Sequence, residues 1–328
     1  MIEPFGSTQD SAEVRVVKIS AGGLTARVLT LGGILQDLTV DGARMTPGSP
    51  SLAAYDHGPL RFFGALIGPV AGRVADARGP FEGGTLDLSA TGAPHALHSG
   101  TAGLHATIWE IADHGPSHVA LQTRAEAGVG GLPGARRFTA TYSAEPDALR
   151  LLLAAETDAP TWVNLTQHSY WHLGGRPTID GHRFHVLADR FLPITDAVLP
   201  TGHTAPLADS PVDFHTPRAI GPTDRLDHCF CISSAEGLLR PVAHLSGPTG
   251  HRLTLETTAP GLQVHTGDGV SAPPGTGHGG AAIHSRPGLA LEAQSWPDAP
   301  NNPGFPSIRL DPGTKWRREI LWRFDRVG

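Results

Sequence analysis

Apolar and polar residues alternate along much of this chain. Leu24, Ala26 and Val28 share one face of Leu24–Thr30, and Phe138, Ala140 and Tyr142 share one face of Phe138–Ser143. This period of two predicts half-buried strands. Leu149–Ala155 is a short apolar run that predicts a buried strand. Arg252–Thr258 alternates again after the turn signal Gly247-Pro248-Thr249-Gly250, and Glu319–Phe324 ends the chain in the same style. No 12-residue window combines a helical period with caps. The pattern predicts an all-β fold, mainly antiparallel, built as a large β-sandwich. No linker and no repeat of solenoid period interrupts it, so residues 1–328 are expected to form a single domain.

Composition agrees. With 41 glycines and 29 prolines in 328 residues, turns are frequent but fall short of a low-complexity chain. Charged residues are 17% of the chain, low for long amphipathic helices. Net charge is −6 and no basic run stands out, which argues against a nucleic-acid partner. The N-terminal Met-Ile-Glu-Pro-Phe-Gly lacks a basic region leading into an apolar run, and no stretch approaches a membrane span. Cys229 and Cys231 sit two apart, at or beyond disulfide reach on a strand. These features predict a cytoplasmic protein with two free thiols and no membrane partner.

Two glycine-rich stretches, Gly128–Gly134 and Asp268–Ser285, read as exposed connections. Neither has the strand-to-helix setting of a phosphate-binding loop.

Three segments differ from ordinary strand or turn sequence. Asn164–Gly175 packs His168, Tyr170, Trp171 and His172 together. Leu289–Asp298 carries Glu292 in an alternating apolar stretch. There Leu289 and Leu291 share one face, and Glu292 and Gln294 share the other. A carboxylate in such surroundings has a raised pKa, which suits a general base. His98 lies beside a turn in Ala96–Gly100. His168 and His172 are four apart, but in a strand or loop that spacing does not bring them together, so no metal site is expected. Taken singly, a histidine or glutamate on a strand is more often structural or solvated than functional.

Together and in order, these segments resemble the aldose 1-epimerase (galactose mutarotase) family over nearly the whole chain. Gly64-Ala-Leu-Ile-Gly68 with Ala71-Gly72-Arg73-Val74 is similar to the family's G-A-x-x-G-R-x-A-N-R-I, and His95-Ala-Leu-His98-Ser-Gly100 to its N-x-L-H-G-G. Gly131-Leu-Pro-Gly134 resembles G-F-P-G, and Asn164-Leu-Thr-Gln-His168-Ser-Tyr-Trp-His-Leu resembles N-L-T-N-H-S-Y-F-N-L. Phe191-Leu-Pro with Leu199-Pro-Thr-Gly202 is similar to another family stretch. Asp227-His228-Cys-Phe230 matches D-H-N-F, Pro260–Gly267 matches P-G-x-Q-x-Y-T-G, and Leu291–Asn301 follows L-E-T-Q-x-F-P-D-S-P-N.

The resemblance implies a galactose mutarotase-like supersandwich with a sugar cleft on one sheet. It further implies an isomerase interconverting the α and β anomers of a free aldose such as glucose or galactose. Glu292 falls at the family's general base and His168 at its general acid. Arg73, His98, Asp227 and Gln263 fall at positions that hold the sugar. No cofactor or metal is implied, and the expected partner is the aldose alone, bound by a monomer or homodimer. Model-peptide values near 4.3 for Glu and 6.5 for His would bracket the protonation states needed at neutral pH. Trp171 or Trp296 could offer the sugar an apolar platform, although either could instead belong to the core. The chain departs from the family pattern at Pro69, Gly72, Ser99, His172 and Cys229, which bears on substrate preference more than on the reaction. Two competing readings are a non-catalytic sugar-binding module on this fold and a glycoside hydrolase using Asp227 and Glu292. A third is an epimerase of sugar phosphates.

Overall fold

The computed structural model describes residues 1–89 and 94–327. Three antiparallel sheets carry the architecture. Ile2–Ser7, Glu13–Ala21, Leu24–Leu29, Leu35–Val40 and Ala43–Arg44 form a five-stranded meander. A nine-stranded sheet runs, in spatial order, through Glu110–His114, His118–Ala125, Arg136–Ala144, Ala148–Thr157, Trp316–Arg326, His251–Thr257, Arg240–Ser246, Arg183–Val186 and Arg218–Ala219. A six-stranded sheet orders Tyr170–Trp171, Leu289–Gln294, Gly261–His265, Asp227–Cys231, Arg190–Phe191 and Ala205–Pro206. Among the described residues helical structure is confined to three-residue 3-10 turns, and no helix is long and apolar enough to cross a membrane.

The alternation read from the sequence decides which side chains face the core. Phe138, Ala140 and Tyr142 of the nine-stranded sheet, and Leu262, Val264, Leu289, Leu291 and Ala293 of the six-stranded sheet, enter one hydrophobic cluster. That cluster also takes Val17, Ile19 and Leu24 from the meander and extends to Phe324. Trp171 is fully buried in it, its ring 5.4 Å from Trp322 and 5.8 Å from Phe324. The apolar run around Leu149–Ala155 departs from expectation. It lies in the Ala148–Thr157 strand, and its outer face is open enough to leave Leu152 45% exposed. The run is therefore a half-buried strand. Cys229 and Cys231 are both free thiols.

The core claims one parity of each strand in the six-stranded sheet. The opposite parity, Asp227 and Cys229, Gln263 and His265, Glu292 and Gln294, is left to face outward, where loops cover it.

Candidate active site

A cleft of roughly 440 Å³ lies over that outward face. Its floor is made by the six residues just named, with His168 and Tyr170 beside them and Arg73, His98 and Phe62 in the walls. All six residues expected to act on a sugar (Arg73, His98, His168, Asp227, Gln263 and Glu292) line this one cleft.

Two neighbouring strands fix Glu292. The Leu289–Gln294 strand sits between Gly261–His265 and Tyr170–Trp171, and Gln263 pairs opposite Glu292. His168 comes from a separate segment. Thr166 and Gln167 pair with Ile67 and Leu66, the His168 N–H donates to the Ala65 carbonyl at 2.9 Å, and the Gly64 N–H donates to the His168 carbonyl at 2.9 Å. Gln167 tightens the turn by donating to Gly64 O and Ser169 Oγ at 2.9 and 2.7 Å. The His168 ring lies stacked 6.1 Å from Phe62, with Tyr170 at 5.1 Å. These contacts bring His168 Nε2 to 3.5 Å from Glu292 Oε1, with both side chains buried.

Burial inverts the protonation order that free side chains would have. Loss of water holds the Glu292 carboxyl well above the usual carboxylate range. The negative charge of Asp227 adds to this, and Arg73 opposes it. Loss of water also pushes the His168 imidazole down to about 3, with His265 reinforcing the effect. The bracketing of Glu near 4.3 and His near 6.5 therefore does not hold in the empty cleft. The carboxyl is thus the more basic member of the pair.

The surrounding polar residues are held in place by one another. Gln263 Nε2 donates to Asp227 Oδ1 at 2.7 Å, and Arg73 Nη1 lies 3.6 Å from Asp227 Oδ2. His98 has a left-handed backbone, φ +52°, in a run continued by Ser99 and Gly100. Such angles are unusual for side chains with a Cβ and mark a locally over-determined turn. The Ser99 hydroxyl clamps this turn to the Val70 backbone, accepting from its N–H at 2.8 Å and donating to its carbonyl at 3.2 Å. Gly72 N–H donates to His98 Nδ1 at 3.2 Å, so the ring carries its proton on Nε2 and presents a donor. Burial holds His98 well below its ordinary pKa, keeping it neutral. Asp298 braces the Arg73 strand. Its N–H donates to the Arg73 carbonyl at 3.0 Å and its Oδ1 accepts from Ala75 N at 3.0 Å.

His98, His168 and Glu292 each offer a ligand atom within 4.8 Å of the other two. Two imidazoles and a carboxylate could hold a cation, and they are also the groups that acid–base chemistry would use. His172 takes no part. Its Nε2 contacts the Arg176 carbonyl at 2.7 Å, outside the cleft.

Some expectations are corrected. Trp171 and Trp296 do not line the cleft. Trp171 has the core-facing parity of its strand, and Trp296 packs on Phe305 in a separate cluster. Phe62 and Tyr170 supply the aromatic walls instead. The Asp268–Ser285 stretch is not merely an exposed connection, because Gly269, Val270 and Ser271 form part of the cleft wall. Sequence reasoning also passed over Tyr170, Cys229 and His265 as lining residues. Each lies two positions from an expected site residue on the same segment, so period-two alternation would have found them. Phe62 carried no such signal.

A family model described as aldose 1-epimerase matches residues 15–323. Galactose mutarotase of Homo sapiens is 32% identical over 277 residues, spanning 80% of this chain and 79% of that protein. Aldose 1-epimerase of Escherichia coli (strain K12) is 30% identical over 278 residues, 80% of each chain. Among solved structures, galactose 1-epimerase from Lactobacillus acidophilus NCFM superposes with a TM-score of 0.86 at 25% identity, covering 100% of this chain and 99% of that one. An aldose epimerase homologue from C. elegans gives 0.86 at 27% identity, covering 95% and 100%.

Proposed function

The chain belongs to the aldose 1-epimerase family, and we propose that Glu292 and His168 are the base and acid with which it interconverts the α and β anomers of free aldoses such as glucose and galactose. It is an isomerase, and the reaction is one of proton transfers only. The base removes the proton from the anomeric hydroxyl while the acid protonates the ring oxygen. The C1–O5 bond breaks to give the open-chain aldehyde. Rotation about C1–C2 turns the other carbonyl face to the hydroxyl; as the ring recloses, the imidazole takes back the proton from the O5 hydroxyl and the carboxyl returns its proton to the carbonyl oxygen.

The observation that carries this reading is the sealed carboxyl–imidazole pair, 3.5 Å apart in a cleft of monosaccharide size. For the reaction the pair must hold a carboxylate base and an imidazolium acid, so a proton held by the carboxyl moves across that gap to His168 Nε2 when the sugar binds. Each positioned group is worth roughly 10²–10⁴ in rate. We assign Arg73, Asp227, Gln263 and His98 to the sugar hydroxyls and ring oxygen. The hydrogen bond and ion pair around Asp227 support its role as a fixed acceptor rather than as half of a hydrolytic carboxylate pair. The chemistry needs no cofactor.

The single-domain reading is supported by a core that draws on residues from Val17 to Phe324. We take the working unit to be a monomer or a homodimer. The net charge of −6 suits a cytoplasmic enzyme without nucleic-acid or membrane partners.

Polarimetry of freshly dissolved α-D-glucose and α-D-galactose tests the proposal. The protein is expected to speed the approach to anomeric equilibrium well beyond buffer. No acceleration on these sugars or a wider aldose panel would overturn it, and release of sugar from an aryl glycoside would favour a hydrolase.

A further inference from the structure

Gln294 faces the same way as Glu292, two residues and about 7 Å further along the strand. It is completely buried, and it lines the cleft. Neither its Oε1 nor its Nε2 has a hydrogen-bond partner. A buried primary amide can make several hydrogen bonds, and leaving it unpaired is unfavourable. Glu292 Oε2 and Gln263 Oε1 on the same floor are orphaned in the same way, as expected of groups whose partner arrives with the ligand.

Gly72 lets the backbone approach the amide closely. A Cβ built there would stand 3.4 Å from Gln294 Nε2 and 3.0 Å from Pro297 Cβ. The backbone at Gly72 has φ +78°, which favours glycine. Gly72, Gln294 and Pro297 thus meet closely at one end of the cleft lining, with the unpaired amide among them.

We propose that the unpaired amide of Gln294, beside Gly72, forms a subsite for one hydroxyl-bearing substituent of the sugar ring, so that Gln294 is a substrate-binding and specificity-determining residue. This rests on the acid–base reading above, because it takes the anomeric end of the sugar to lie at Glu292. An amide both donates and accepts, so it pairs fully with a hydroxyl, which does the same. A hydrogen or methyl group at that place leaves both amide atoms orphaned. Sites built to bond a hydroxyl reject analogues lacking it for that reason.

The test uses Gln294→Leu, with steady-state mutarotation of galactose, glucose and aldohexoses lacking the hydroxyl at C2, C3, C4 or C6. Removing two orphaned polar atoms for an apolar side chain of similar size is expected to leave Tm unchanged or raise it. KM for the parent sugar is expected to rise about tenfold, the equivalent of about one hydrogen bond, with kcat little changed, as for loss of uniform binding. One deoxy sugar should carry a similar penalty in the wild type and none in the variant. An unchanged KM for every sugar overturns the proposal. So does a lowered Tm with the wild-type pattern of deoxy-sugar penalties retained, because that marks a structural role. Wild-type inactivity on all aldoses would instead strike the acid–base reading. Calorimetric titration of galactose into both proteins would then decide the subsite, and equal affinities, or no binding by either, would reject it.

Discussion

His168 Nε2 lies 3.5 Å from Glu292 Oε1, and the two side chains are only 6% and 3% exposed. Water at this place would stabilise an ion pair, and its absence favours the neutral pair of a carboxylic acid and an imidazole. The two groups come from unrelated parts of the chain, one from a short segment pinned to Ala65 and Gly64, the other from the middle of a sheet. Their meeting places the proposed acid and base side by side.

The pH dependence of kcat/KM follows from that pairing. The active free enzyme holds one proton on the pair. A second proton is added only as pH falls toward the His168 value of about 3. The single proton is lost only as pH rises through the elevated Glu292 value, above the carboxylate range. The profile recorded by polarimetry is therefore expected to show no acid limb centred near 6.5, since His168 gains its proton only toward about 3. An acid limb centred near 6.5 would show that His168 keeps an ordinary imidazole pKa.

Stability should fall on mild acidification. Burial lowers His98 well below 6.5, His105 and His182 to about 4, and His168 to about 3. Between pH 6.5 and about 4 the unfolded chain binds protons at these four sites and the folded chain does not. Stability then rises with pH across that window, by about 1.4 kcal/mol per unit for each fully shielded histidine. Glu292 acts in the opposite sense, since the folded state keeps its proton where the unfolded state loses it, but it is one group against four. Urea unfolding at pH 7.0 and 5.0 is expected to give a distinctly lower midpoint at pH 5.0. Equal midpoints would contradict the buried, neutral state of these rings.

Arg318 ties the segments that carry His168 and Glu292 together. Its guanidinium has no exposed side-chain surface and pairs with Glu236. Nη1 donates to Asn164 Oδ1 at 3.0 Å and Leu165 O at 2.7 Å, and Nη2 donates to Ser295 Oγ at 3.0 Å. Asn164 Oδ1 also accepts from the Ser295 N–H at 2.8 Å. Arg318→Met strands several buried acceptors between His168 and Glu292, and is expected to cost about 3–5 kcal/mol in chemical unfolding. A loss under about 1 kcal/mol, the worth of a surface ion pair, would show that Arg318 is not the link between these segments.

The sequence was most informative where burial follows the strand period. Alternation in Leu24–Leu29 and Arg136–Ala144 marks the core face directly. The opposed faces read for Leu291 and Glu292 are the core and the cleft. Family-like motifs named six residues that share the cleft, because each motif sits where a strand or tight turn presents a side chain to it. Contacts set by tertiary closure were not legible. Trp171 looked as available as Tyr170, and only the sheet-to-sheet packing against Trp322 separates them. Phe62 lies in an irregular turn without periodicity, and the Gly269–Ser271 wall is placed by long-range contacts. The inverted protonation order was also hidden, since it depends on how much water the assembled cleft excludes.

The central claim is that the buried carboxyl at position 292 transfers the proton. Its most direct test is polarimetry of α-D-galactose with Glu292→Gln, a change that keeps shape and hydrogen bonding while removing the titrating group. The account predicts that kcat falls by at least about a hundredfold, while galactose still raises the Tm of the variant. A variant that retains kcat within a few-fold of wild type would contradict it, and the base would have to be sought elsewhere in the cleft.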